Sequence, residues 1–143
     1  GMMAGNTPAQ TLGLSRGDLD ALYGLGFAAL TSGDLQRAQD VFTHLALLDP
    51  LEARHRYCLG VIAQSKADHE TALDHFTNFL ALDATNADGY LRLGETFAAL
   101  GRKTDARDAF ELALAEAQKG NGDSQAVADA RRKLSLMATE TRT

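Results

Sequence analysis

Four histidines, one cysteine and a short basic run are the residues of this chain whose types could do chemistry. His44, His55, His69 and His75 could ligate a metal or move protons, Cys58 or Ser15 could attack a carbonyl, and Arg131-Arg132-Lys133 could contact phosphate. None stands in the pattern its chemistry needs. A helix gathers ligands on one face at three- or four-residue steps, whereas His69 and His75 are six apart and the others fall on different segments. No CxxC pair or Cys/His cluster could hold zinc, and a single cysteine closes no internal disulfide. Ser15 and Cys58 have no identifiable base. The histidines read as solvated or interhelix groups, Cys58 as a small packing residue, and the basic run as the wet face of a last helix. Gly24-Leu25-Gly26 is a fragment of a dinucleotide motif, but it follows no strand and carries no phosphate-binding meaning. No catalytic residue, metal or cofactor is expected, and the chain is not read as an enzyme.

The elements that would position any site are helices. The 143 residues include 25 alanines and 22 leucines against 3 valines and 1 isoleucine. Alanine and leucine lose least on entering a helix, while β-branched residues suit strands. Pro8 and Pro50 are the sole prolines. This excludes a sandwich, a barrel or a doubly wound sheet and predicts an all-α protein. The length suits one domain with a real core. No apolar run is long enough to span a membrane, no secretory signal stands at the start, and Gly1 before Met2 looks like a tag scar. A cytoplasmic protein is expected. The net charge of −5, with 14 basic residues interleaved among 19 acidic ones, argues against a nucleic-acid partner.

The chain repeats itself at a shift of 34, over residues 19–52, 53–86 and 87–120. Leu25-Gly26 recurs as Leu59-Gly60 and Leu93-Gly94. Ala38 recurs as Ala72 and Ala106, and Phe42 as Phe76 and Phe110. Each unit reads as two helices, A and B, joined by a short turn. Leu22, Leu25 and Gly26 fall on one face of A, and Leu35, Ala38, Phe42 and Leu45 on one face of B. Gly26 and Ala38 are small so that the two helices can approach closely. Asp34 and Asp68 suit the start of each B helix, and Asp49-Pro50-Leu51-Glu52 reads as a cap followed by a helix start. Such units must stack to bury both apolar faces. Residues 1–18 are expected to be a flexible leader. Residues 121–143 are expected to form a capping helix and tail, with Val127, Ala130, Leu134 and Met137 in one apolar stripe.

A 34-residue helix-turn-helix unit with these small and aromatic positions resembles the tetratricopeptide repeat, which implies a right-handed superhelix of three repeats. The runs Leu22-Tyr23-Gly24-Leu25-Gly26-Phe27, Gly33-Asp34-Leu35, Val41-Phe42 and Leu48-Asp49-Pro50, with Leu59-Gly60 and Gln64, are similar to the class II (SycD/LcrH-type) chaperones of bacterial type III secretion. That resemblance implies a non-catalytic chaperone in the bacterial cytoplasm that keeps hydrophobic translocator subunits soluble until export. Family members carry a longer N-terminal helical segment used in dimerisation; with 18 residues before the first repeat, at most a weak homodimer is expected. A generic tetratricopeptide scaffold in another complex is the alternative.

The resemblance also implies that the A helices line a concave groove for an extended peptide. Its expected lining is Tyr23, Phe27 and Leu30 in the first unit, Arg54, Tyr57, Val61 and Gln64 in the second, and Leu91 and Glu95 in the third. Tyr23, Phe27 and Tyr57 are surplus to a core already supplied by Leu22, Leu25 and Phe42, and aromatic anchors carry much of the energy of binding surfaces. Adaptors that grip acidic chaperone tails use a clamp of Lys, Asn and Arg. Tyr23, Phe27, Cys58, Asp88 and Arg92 occupy the corresponding positions here, and Asp88 would repel a carboxylate. That partner class is excluded.

Overall fold

The computed structural model describes residues 5–142, with side chains to Glu140. Every regular element among them is a helix: α1 (Pro8–Thr11), α2 (Arg16–Thr31), α3 (Leu35–Leu48), α4 (Ala53–Ser65), α5 (His69–Leu82), α6 (Ala87–Ala99), α7 (Lys103–Gln118) and α8 (Ala126–Arg142). No helix is long and apolar enough to cross a membrane. Helices α2/α3, α4/α5 and α6/α7 form three hairpins, stacked in chain order as in tetratricopeptide arrays.

One contact recurs inside every hairpin. A Cβ placed on Gly26 would lie 2.9 Å from the Phe42 ring, one on Gly60 2.5 Å from Phe76, and one on Gly94 2.4 Å from Phe110. The sequence predicts close helix approach here. The structure sharpens the cause, since the glycine makes room for the aromatic ring of its own hairpin. Ala38, Ala72 and Ala106 are fully buried beside those rings. Each phenylalanine so buried contributes on the order of 2–3 kcal/mol.

The turns between paired helices need a left-handed residue. Gly33 and Gly101 supply it at φ 83° and 78°, and Ala67 adopts φ 58° at the matching position of the second hairpin. Asp34 and Asp68 then accept backbone N–H groups of Arg37 and Thr71 as helix caps, as expected. Helix α8 closes the far end, burying Ala126, Ala130 and Met137 with Leu134 against the third hairpin.

Three expectations are corrected. Leu25 is 63% exposed, whereas its counterpart Leu59 is 5% exposed, because α3 lies over α4 and no helix lies over the outer side of α2 in the same way. Helix α4 is capped by Glu52. Asp49 caps the end of α3 instead, its carboxylate taken by Arg16 at 2.6 Å and the buried His55 at 3.2 Å. The leader expected to be flexible over residues 1–18 contains a capped turn, α1, with Ala9 buried in the core, and α2 starts at Arg16 through a Ser15/Asp18 capping box. Residues 1–4, including Gly1 and Met2, lie outside the described residues.

Candidate peptide-binding groove

Helices α2, α4 and α6 share one surface on which most of the expected lining residues meet. Their contacts follow from the repeat. Neighbouring A helices are one 34-residue unit apart, so side chains that touch across them are separated by about one helical turn more or less than that period. Tyr23 and Cys58, and Tyr57 and Arg92, are 35 apart, while Gln64 and Glu95 are 31 apart.

The aromatic end is built on the core beneath it. Tyr23 stands edge-on to Phe42 with centroids 5.5 Å apart and stacks with Phe27 at 6.0 Å. Phe27 is 47% exposed, far above the ordinary burial of a phenylalanine. The Arg54 guanidinium lies 4.3 Å above the Tyr23 ring while pairing with Glu52 and Asp20. Tyr57 packs edge-on to Phe76 at 5.8 Å and Phe79 at 5.1 Å. Tyr23 and Tyr57 are therefore half-buried: the inner edge of each ring belongs to the core and the outer part to the surface.

Between these rings lies a cavity of about 340 Å³, floored by Tyr23, Tyr57, Cys58 and Phe79 and rimmed by Glu52, Asp83 and Asp88. Burial pushes the Tyr23 hydroxyl up to about 12 and the Cys58 thiol up to about 11. Both stay neutral, so the floor is apolar in character and Cys58 is no nucleophile.

The other end is polar and already internally paired. Arg92 donates from Nε to the Tyr57 hydroxyl at 3.1 Å and from Nη1 to the Gln64 side-chain carbonyl at 2.9 Å. Gln64 donates to Glu95 at 3.1 Å, and Glu95 pairs with Lys133 of α8 at 3.4 Å. This chain ties α4, α6 and the capping helix together beside a cleft of about 220 Å³ that also holds Asp88, Leu91, Asp129 and Arg132.

Of the expected lining residues, the cavity unites Tyr23, Arg54 and Tyr57, and the cleft unites Tyr57, Leu91 and Glu95. Leu30 packs on the first core cluster and Val61 on the cluster around Phe76. Gln64 and Glu95 are engaged with each other rather than free. Sequence reasoning left out Phe79, which projects from a B helix, and the roles of Arg92 and Lys133. The 35-residue offset from Tyr57 could have found Arg92. No comparable signal marks Lys133, because α8 stands outside the repeat. His55 is buried and interhelix, and the described residues hold no group of His, Cys, Asp or Glu able to bind a metal.

Comparison with known proteins adds the following. The tetratricopeptide-repeat model matches residues 59–124. No curated protein sequence matches the chain. Among solved structures, it is similar to a T3SS complex from Aeromonas hydrophila (26% identity, 97% of this chain and 93% of that one, TM-score 0.89). It is also similar to PcrH, a Pseudomonas aeruginosa protein, in two complexes. With the chaperone binding region of PopB the match is 30% identical over 87% of this chain and 98% of that one, TM-score 0.77. With that of PopD it is 28% identical over 90% and 97%, TM-score 0.85.

Proposed function

The chain belongs to the tetratricopeptide-repeat chaperones of type III secretion translocators, and we propose from that footing that it holds an extended, partly apolar segment of such a translocator on the surface of α2, α4 and α6. The observation that carries this reading is the half-exposed aromatic row Tyr23, Phe27 and Tyr57 around the 340 Å³ cavity. An extended segment can place apolar side chains against these rings while its backbone stays wet. Arg54, Gln64, Arg92 and Glu95 are spent on holding the rings and helices in place, which lets the surface form without a client and lowers the ordering cost of binding. Leu30, Val61 and Leu91 supply the apolar floor between them.

The role is binding without turnover. Covering an aggregation-prone segment keeps the client soluble and export-competent in the bacterial cytoplasm. We take residues 19–120 as the three repeats that form the groove and 121–143 as the cap that fixes its polar end. The test is affinity capture of the chain from its native bacterium with mass spectrometry of what it holds. Recovery of secreted translocators is expected. A scatter of unrelated proteins, with no translocator among them, would point to a general scaffold instead.

A further inference from the structure

The repeat presents one surface twice in this molecule, once filled and once open. In the second hairpin, Leu59, Ile62, Lys66 and His75 belong to a groove of about 210 Å³ that Gln39 and Thr43 of α3 close from the hairpin before, with Lys66 hydrogen-bonded to Gln39. Thirty-four residues earlier, Leu25, Ala28, Ser32, Asp34, Arg37 and Val41 line the matching groove, of about 550 Å³, formed by α2, α3 and their turn alone. Leu25 is 63% exposed where Leu59 is 5% exposed.

We infer that this open groove is a docking site for a single amphipathic helix of a partner protein, seated on α2 as α3 is seated on α4. The molecule itself shows the kind of occupant, a helix whose contact stripe carries uncharged side chains at i and i+4, as Gln39 and Thr43 do. Val41 replaces His75 in the open copy, so the stripe it fits is more apolar. Asp34 and Arg37 on the rim pair with each other at 3.4 Å and leave no net charge asking for a counter-ion.

A second copy of this chain fits less well. A groove takes a ridge, and two identical grooves set face to face leave a void between them. Helix α8 covers the third hairpin at the far end, which leaves no free α7 ridge for head-to-tail stacking. The site lies apart from Tyr23 and Tyr57, neither of which lines it, and does not depend on the client reading.

The test uses a stapled helical peptide copying residues 35–48, with Ala38→Lys, Phe42→Glu and Leu45→Lys to erase the face that packs within the hairpin and to keep Gln39 and Thr43. Fluorescence titration should show saturable binding to the wild-type chain. Leu25→Glu and Ala28→Glu, both at exposed positions, should each weaken it tenfold or more, with melting curves and groove-peptide affinity unchanged. Equal affinity for wild type and both variants, or no saturable binding, would overturn the inference. A wild-type dimer in sedimentation that Leu25→Glu splits into monomers would overturn it too, since the occupant would then be a second copy.

Discussion

Arg92 holds the Tyr57 ring from one side while the core holds it from the other. Its Nε donates to the Tyr57 hydroxyl at 3.1 Å and its Nη1 to Gln64 at 2.9 Å, and Phe76 and Phe79 meet the opposite ring edge. A forked guanidinium can make both bonds, whereas an ammonium cannot reproduce the geometry. Arg92→Lys should therefore weaken client binding about fivefold, on the order of 1 kcal/mol, with little change in thermal midpoint. Isothermal titration beside a melting curve checks it. An affinity equal to wild type would mean that Tyr57 needs no such support.

Two glycine-to-alanine changes within A helices should act with opposite sign. Gly24 has nothing within 4 Å of where a Cβ would stand, so Gly24→Ala should stabilise by about 0.5–1 kcal/mol through helix propensity. A Cβ on Gly60 would lie 2.5 Å from the Phe76 ring, so Gly60→Ala should destabilise by about 1–3 kcal/mol and Gly60→Leu should melt the stack. Urea unfolding of the variants measures this. Shifts of the same sign for the two alanines would show that ring contact does not govern the glycine column.

Ala67 occupies the left-handed turn that glycine fills in the first and third hairpins. A side chain costs about 1 kcal/mol or more there. Ala67→Gly should raise the stability of the chain by roughly that amount, offset in part by the greater freedom of glycine when unfolded. Denaturant titration gives the value, and a loss of stability would contradict the account.

Acid should loosen the junction of the first two hairpins. Burial lowers the pKa of His55 against the upward pull of Asp49, and its Nδ1 is buried without a partner. Burial works against the Asp49 carboxylate, yet hydrogen bonds from Arg16 and His55 overcome it and hold its pKa below the usual range. For His55, a pKa lower when folded than when unfolded means that acid protonates the unfolded chain first. Its contribution is full above about pH 6.5 and falls as pH drops through that value. Asp49 acts in the same direction at lower pH: its share is present above the ordinary carboxylate range and is lost as pH falls through its own lowered value. Melting between pH 7.5 and 5 should show a falling midpoint for wild type and a flatter one for His55→Gln. Parallel curves would remove His55 from the junction.

The hairpins were legible in the sequence because a 34-residue period repeats the same packing problem three times, and Gly26, Ala38 and Phe42 announce its solution at each pass. Leu25 misled for a related reason. Its column is buried where α3 covers α4, but burial depends on a neighbour that a repeat motif does not encode. Asp49 also misled, since a capping pattern is local while Arg16, which claims the carboxylate, is 33 residues away. In the groove, Tyr23, Phe27 and Tyr57 were visible as aromatics beyond the needs of the core. Their partial burial was not visible, because Phe79 reaches them from a B helix. Lys133 entered from α8, to which no repeat register applies.

The central claim is that the aromatic surface of α2 and α4 carries client affinity. The most direct measurement is a titration of a labelled peptide, from the chaperone-binding region of the translocator recovered with this chain, against wild type and the double variant Tyr23→Ala/Tyr57→Ala. Folding of the variant is verified first by circular dichroism. The account predicts an affinity lower by tenfold or more, about 1.4 kcal/mol or greater. An unchanged affinity in a folded double variant would contradict it.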